Sequence, residues 1–419
     1  MKIAVVGSGI SGLGAALLLQ QEHEVHLFES DSRLGGHAHT TQITQSGQTF
    51  GVDTGFLVYN DLTYPHLKGL FKYLNVETVD SDMSLSLQIP DRNLEWAGDN
   101  LNTVFAQRRN LMSLRFYKFI FQILKFHKNA EKNRDLSAKN KWTIGELLKN
   151  EKYTEDLLEW YILPMVAAIW STPEQGMLDF PAETFLTFFI NHKLLQVNNR
   201  PVWKTVKNGS VQYVDKIAKQ LKHIHLSEPV LQVESVSQGI YLKSSVTDYH
   251  FDKVVFATHA PITSKIFKFK NEYQKSLIDS FSDIPNKAVL HEDSSLMPQN
   301  KKCWSSWNVK AQLKTKASDK VSLTYFLNRL QPLPTKNKLL LTLNPELDVK
   351  NKILSYDYAH PKFDQKAIDA QKKIESIQGV DHAYFAGAWT RYGFHEDGLL
   401  SAVEVAKCFN IKPLWKHDI

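Results

Sequence analysis

The sequence predicts an α/β fold in which one domain, built on a parallel sheet from separated segments, is interleaved with a second, α+β domain. Three observations lead there. At 419 residues, the chain exceeds the roughly 250–300 residues at which a single core stops growing. Residues 2–6 (KIAVV), 7–12 (GSGISG) and 13–21 (LGAALLLQQ) read as strand, glycine-rich turn and helix, the entry of a βαβ unit. Further strand-like runs that suit the same sheet stand far away, at 251–261 (FDKVVFATHAP) and 383–388 (AYFAGA), so that domain is discontinuous.

The glycine spacing has a physical reason. Gly7 allows a tight turn, Gly9 lets the backbone approach a pyrophosphate, and Gly12 lets helix and strand pack closely, while Ile10 and Ser11 open the helix whose free N–H groups face the phosphates. The second strand, EVHLFES at 24–30, ends in Glu29 and Ser30, and Glu29 lies 17 residues beyond Gly12. A carboxylate there accepts a pair of ribose hydroxyls and repels a 2′-phosphate, which selects FAD or NAD over NADP.

Composition narrows the classes. Charged residues make up 22% and hydrophobic residues 43%, with a net charge of +6 spread over the chain, so neither disorder nor a nucleic-acid surface is expected. Cys303 and Cys408 are the two cysteines, too few for a disulfide framework or a cysteine-rich metal site, and a reducing compartment follows. No metal-ligand spacing stands out among the 16 histidines. The apolar start at Ile3 is broken by Gly7, Gly9 and Gly12, unlike a signal peptide. The expectation is a cytoplasmic protein that touches the inner membrane surface peripherally.

The segment after Glu29, with Arg33, Gly35 and Gly36, resembles the flavin-containing amine oxidoreductase superfamily, which includes monoamine oxidase, phytoene desaturase and protoporphyrinogen oxidase. There an E-x-x-x-R-x-G-G segment wraps the FAD pyrophosphate. Where the group carries a further Arg, this chain has His37, whose charge depends on pH. The resemblance implies a FAD/NAD(P)-binding Rossmann-like domain. TFGVDTGF at 49–56 resembles the segment that returns along the flavin, which implies Gly55, Phe56 and Leu57 beside the ring and Asp53 supporting the turn. It also implies Val230 at the adenine, Ala257 at the end of a sheet strand, Gly387 and Ala388 near the ribityl phosphate, and Glu396, Asp397, Gly398 and Leu399 on a helix whose start faces the flavin. No cysteine lies in these segments, so the FAD is expected to be non-covalent.

The expected boundaries are 1–75, 203–260 and 376–412 for the FAD-binding domain, and 76–202 with 261–375 for the substrate domain. Runs at 322–331 and 339–345 predict strands of a mixed sheet, and 104–200 predicts helices. Residues 114–128 (LRFYKFIFQILKFHK) read either as a basic amphipathic helix at an anionic membrane surface or as a core helix with a cationic outer edge.

A closer resemblance runs through YNDLTYPHL (59–67), AQRRNL (106–111), FFINHKLL (188–195), SSWN (305–308), NRLQ (328–331) and GFHEDGL (393–399). These look like a bacterial branch of FAD oxidoreductases found beside cyclopropane-fatty-acid-synthase-like methyltransferases. The likeness implies a lipid acyl chain or other apolar substrate and a methyltransferase partner. The residues expected near the flavin are His395, as acid or base, with Glu396, Trp389, Trp307, Asn308 and Tyr325. His395 takes the place of one aromatic-cage tyrosine of the amine oxidases, which favours oxidation or desaturation of an apolar substrate. A flavin amine oxidase and a non-catalytic, FAD-containing lipid-binding partner of a methyltransferase are the alternatives.

Overall fold

The first strand does not alternate because both of its faces are covered. Ile3, Ala4 and Val5 are all fully buried, as expected of a central parallel strand packed by helices on either side. The computed structural model describes residues 1–170, 178–196, 200–311, 322–345 and 348–415. It divides into two units, Met1–Val79 with Thr205–Asp283 and Pro361–Ile419, and Asp80–Lys204 with Ile284–His360.

In the first unit the elements that build the site are β1 (Lys2–Val6), α1 (Ile10–Leu19), β2 (Glu24–Phe28), α2 (Pro65–Tyr73), α3 (Val211–Ala218), β3 (His223–His225), β4 (Lys253–Phe256), β5 (Ala383–Phe385) and α4 (His395–Cys408). The five strands are parallel in the order β3-β2-β1-β4-β5. Chain order therefore reverses between β1 and β4, and in such sheets ligands bind outside the carboxyl ends of the strands at that reversal. The Ala- and Leu-rich α1 is buried along its whole length, and its outer side is α4: a Cβ on Gly14 would lie 2.8 Å from Leu399 Cδ1.

A hairpin, Thr40–Gln45 with Gln48–Asp53, and a four-stranded sheet containing Val230–Val236 and Gly239–Ser244 complete this unit. One apolar core joins Val254, Phe256 and Phe385 to Phe267, Ile278, Phe281, Ala367 and Ile377. That core corrects the expected boundaries. Residues 261–283 and 361–375 belong with the first unit because their apolar side chains pack under its parallel sheet.

The second unit carries a seven-stranded mixed sheet in the order Lys352–Lys362, Ser282–His291, Leu340–Leu343, Ser322–Phe326, Trp307–Lys310, Leu85–Ile89, Leu94–Ala97. The pair Trp307–Lys310 and Leu85–Ile89 is parallel, and the other pairs from Ser282–His291 through Leu94–Ala97 are antiparallel. The strand expected over 322–331 stops at Phe326, and Leu327–Leu330 forms a helical turn. Arg329 there pairs with Asp82 at 2.5 Å and bonds the Trp304 carbonyl. Helices Leu114–Lys128, Ala130–Asn140, Ile144–Asn150 and Ala182–Asn191 form the other part of this unit. Among the described residues no helix is long and apolar enough to cross a membrane.

Candidate cofactor and active site

The glycines of the first turn act as the spacing requires, each in a different way. Gly7 has φ +100°, and its N–H donates to the Phe28 carbonyl at 2.9 Å, tying the end of β1 to β2. A Cβ on Gly12 would stand 1.8 Å from the Gly7 carbonyl oxygen, so only glycine permits the helix to start there. A Cβ on Gly9 would meet no protein atom within 4 Å and would project into the cradle at the start of α1. The amides of Ile10, Ser11 and Gly12 sit in the helix's first turn, where N–H groups have no intrahelical acceptor. The cradle therefore suits a phosphate.

Glu29 closes one side. One carboxylate oxygen accepts the Ser8 N–H at 2.9 Å and the Ser8 hydroxyl at 2.5 Å, and the other accepts from Ser30 Oγ at 3.1 Å and the Asp31 N–H at 2.9 Å. The carboxylate is thus aimed at the end of β2 beside the glycine turn, the position a ribose needs. Arg33, half-buried, leads into Gly35 and Gly36, both at positive φ. Gly35 N–H donates to the Ser8 carbonyl at 3.0 Å, and a Cβ on Gly36 would lie 3.1 Å from Gly9 Cα. The two glycine motifs, far apart in sequence, thus touch. Val230 starts its strand two residues after Glu228, whose N–H donates to the Glu29 carbonyl, which brings it close to Glu29.

The third segment returns along the second. Phe56 N–H donates to the His37 carbonyl at 2.9 Å, and Gly55 lies so near that a Cβ would be 2.2 Å from that oxygen. Asp53 anchors the turn: buried, it accepts from the Ser210 N–H, from Ser210 Oγ at 2.8 Å and from Thr40 Oγ1 at 2.5 Å. Burial raises its carboxyl to about 6 despite these bonds. Leu57 is buried just beyond.

The far end of the chain closes the cradle. Ala257, following β4, lies against Gly7 and Gly12: its carbonyl oxygen would be 2.9 Å from a Cβ on Gly7, and its own Cβ 3.2 Å from one on Gly12. Gly387, after β5, donates its N–H to Ser401 Oγ at 2.8 Å, and that hydroxyl donates to the Gly398 carbonyl. A Cβ on Gly398 would lie 2.7 Å from Ile10 Cγ2 and 3.7 Å from Ala388 Cβ, so the N-termini of α1 and α4 meet. Leu399 is fully buried behind them. Two helix starts with their positive dipole ends together suit a ligand with both a pyrophosphate and a ring system that gains negative charge on reduction.

Three expected roles change. Glu396 does not face the cradle with its side chain: its two carboxylate oxygens accept the His66 and Leu67 N–H groups at 2.8 and 2.9 Å, capping α2. Asp397 likewise caps its own helix by accepting the Phe394 N–H at 3.0 Å, and burial raises both carboxyls to about 7. His395 lies flat on Phe56, with ring centroids 3.9 Å apart, and its Nε2 bonds the Tyr213 hydroxyl at 3.0 Å. Burial lowers its imidazole to about 3. A ring that far below neutrality is a poor acid or base at pH 7, so the geometry gives His395 a positioning role.

The other candidates make their contacts within their own units. Trp389 is core, its Nε1 bonded to the Thr258 carbonyl at 3.2 Å. Asn308 spends its amide within its own sheet, on Ser86, Ser305 and Thr324, and Trp307 and Tyr325 are a cross-strand pair in the second unit. Sequence reasoning missed Ser8, Tyr213 and Ser401. Ser8 carried a signal, since it fills the gap between two cradle glycines; Tyr213 and Ser401 are unremarkable residues on helix faces. The linear sequence also hides a cluster away from this site, Glu24, His26 and His223, whose ligand atoms lie within 4.8 Å of one another across β2 and β3.

Fold and site together define a flavin-dependent oxidoreductase. The chain belongs to the flavin containing amine oxidoreductase family, whose model matches residues 10–332. Two curated relatives match short stretches: a Carotenoid phi-ring synthase of Streptomyces griseus, 35% identical over 25% of this chain and 19% of that protein, and a 4,4′-diapophytoene desaturase of Staphylococcus aureus, 38% identical over 15% and 12%. The chain thus aligns with less than a fifth of either relative. Among solved structures, a putrescine oxidase variant superposes with a TM-score of 0.69 at 15% identity, covering 98% of both chains. A fatty acid isomerase from P. acnes superposes at 0.68 and 12% identity, covering 97% of this chain and 98% of that one. At such identities the likeness is one of fold, and it does not choose between an amine and a fatty acid.

Proposed function

We propose that the protein is an FAD enzyme that holds its cofactor without a covalent bond and removes two hydrogens from a lipid acyl chain or a similar apolar substrate. Bound flavin would take up both hydrogens, one as a hydride and one as a proton; the chain's own residues position the substrate and exclude water. FAD is favoured over other flavins because the site has an adenosine half: Glu29 for a ribose, the α1 amides for a pyrophosphate. A thioether link is disfavoured, since Cys408 lies at the C-terminal end of α4, roughly 20 Å along the helix from its start, and Cys303 is buried.

One observation carries the apolar reading. At the start of α4, where the resemblance puts a cage tyrosine in amine oxidases, His395 is packed on Phe56 and held neutral by burial. A neutral imidazole stacked on a phenyl ring offers an ammonium ion no counter-charge of its own and suits a hydrocarbon better. The partial match to a diapophytoene desaturase, an enzyme named for an apolar polyene, agrees with it.

The test is anaerobic mixing of the purified holoprotein with phospholipids bearing unsaturated or methyl-branched chains, beside putrescine and aromatic amines. Loss of the flavin's visible absorbance with lipid, and a lipid product lighter by two hydrogens, is the expected result. Bleaching by an amine and none by lipid would restore the amine oxidase reading; bleaching by neither would favour the non-catalytic lipid-binding one.

A further inference from the structure

The helix Leu114–Lys128 is apolar on two faces, and the fold uses one of them. Phe116, Phe119, Ile123 and Phe126 are buried in the second unit. On the outer face Leu114, Tyr117, Phe121 and Leu124 recur at helical spacing and are exposed, Leu114 by 86% and Phe121 by 64%. The preceding turn adds Leu111 and Met112, the latter 90% exposed, and Leu101 lies a little upstream. Seven of the 17 exposed large hydrophobic residues among those described thus fall within 24 consecutive residues. Scattered exposure needs no explanation; a concentration of this kind does.

The charges on this stretch have one sign. Residues 101–128 contain six Lys and Arg and no Asp or Glu. A cavity of about 290 Å³ opens beside the apolar turn, lined by Arg92, Arg109 and Arg115 with Asn110, Ser113 and Trp160. Arg115 is paired with Asp156 and lies over the Trp160 ring, and Arg92 is 3.8 Å from Glu159. Arg109 bonds the Asn93 carbonyl and the Gln107 side chain. Among the described residues no carboxylate pairs with Arg108, Arg109, Lys118 or Lys128. Unneutralised cations therefore ring an apolar face beside an arginine-lined cavity. That sequence of layers, apolar side chains with guanidinium and ammonium groups at their edge, matches the boundary between acyl chains and phosphate headgroups.

We propose that this face docks the enzyme on an anionic phospholipid bilayer, with Leu111, Met112, Leu114 and Phe121 entering the acyl boundary and Arg109 and Lys118 meeting headgroup phosphates. The inference does not rest on the substrate reading, since the surface binds a bilayer whatever the flavin oxidises. The test is co-sedimentation of the full-length holoprotein with phosphatidylcholine vesicles, with and without phosphatidylglycerol. Binding is expected with phosphatidylglycerol and to weaken with added salt. R109Q and K118Q should each weaken it about fivefold, the fold-change of ~1 kcal/mol per cation. M112S/F121S should reduce it at least tenfold, while flavin content and far-UV circular dichroism stay at the wild-type level, as exposed positions allow. Absence of vesicle binding, or binding that these variants leave unchanged, would overturn the proposal. So would a dimer in sedimentation velocity that M112S/F121S dissociates, because a second copy of the chain would then be the occupant.

Discussion

A Cβ placed on Gly398 would lie 2.9 Å from the Ser11 hydroxyl, so the first turns of α4 and α1 touch although 387 positions separate them in the chain. This contact is what makes one site from two ends of the sequence, and it ranks the glycines. Gly9→Ala meets no protein atom and should unfold like the wild type while losing most of its flavin. Gly398→Ala should cost about 1–3 kcal/mol, the usual range for overpacking, and bind flavin weakly. Gly12→Ala, 1.8 Å from backbone, should yield little soluble protein. Urea unfolding and flavin absorbance per protein measure both properties; a Gly9→Ala protein that keeps its flavin would refute the cradle.

His395 and Glu396 are neighbours whose pH dependences oppose each other. The folded imidazole sits near 3 against an ordinary value near 6.5, so its contribution is present above 6.5 and is lost as pH falls. The folded Glu396 carboxyl sits near 7 against 4.5, so its contribution is present below 4.5 and is lost as pH rises toward 7. Between pH 5 and 7 each changes stability by about 2 kcal/mol, with opposite sign. Relative to wild type, His395→Phe should therefore lose stability on going from pH 5 to 7, and Glu396→Gln should gain it. Urea unfolding of the apoproteins at the two pH values checks this, and shifts of the same sign in both variants would contradict it.

Asp53 is the acceptor for three donors on two other segments. Asp53→Ala leaves the Ser210 N–H, the Ser210 hydroxyl and the Thr40 hydroxyl without it, and should cost about 3–5 kcal/mol at roughly 1–3 kcal/mol per buried orphan, partly relieved by rotation of the hydroxyls. Thr40→Val removes one of these donors and also the acceptor of the Val211 N–H, and should cost less, about 1–3 kcal/mol. Equal costs for the two, measured by denaturant midpoint, would mean that the carboxylate does not hold the turn.

The cysteines give an inexpensive check on how the flavin is held. Cys303 is buried, and its thiol is pushed up to about 12, whereas Cys408 is exposed. A thiol reagent should label one cysteine in the native holoprotein and two after denaturation, with the flavin retained in the first case and released in the second. Flavin that stays with the denatured chain would show a covalent bond.

The glycine and carboxylate pattern of this region is legible in the sequence for local reasons. A turn open toward a phosphate, a helix start so close to the preceding turn that a Cβ on Gly12 would stand 1.8 Å from the Gly7 carbonyl oxygen, and a carboxylate at a strand end each demand a residue type at a fixed spacing, so Gly7, Gly9, Gly12, Glu29, Gly35 and Gly36 stand out in a single line of text. The caps and supports do not. Glu396 bonds amides 330 positions away, and Tyr213 reaches His395 across 182; Glu and Tyr at those places are ordinary residues until the partner is known.

The sequence by itself determined that the chain is a discontinuous α/β protein with a glycine-rich turn between its first strand and helix, because backbone sterics and hydrogen-bond satisfaction act over a few residues and leave a pattern. Only the tertiary structure decided that His395 stacks on Phe56 and bonds the Tyr213 hydroxyl. It alone also decided that 261–283 and 361–375 pack into the first unit, and that one helix keeps an apolar face outside. Burial is a property of what a residue ends up against, and desolvation, which sets both the pKa of a side chain and the value of an apolar contact, exists only after distant segments have met.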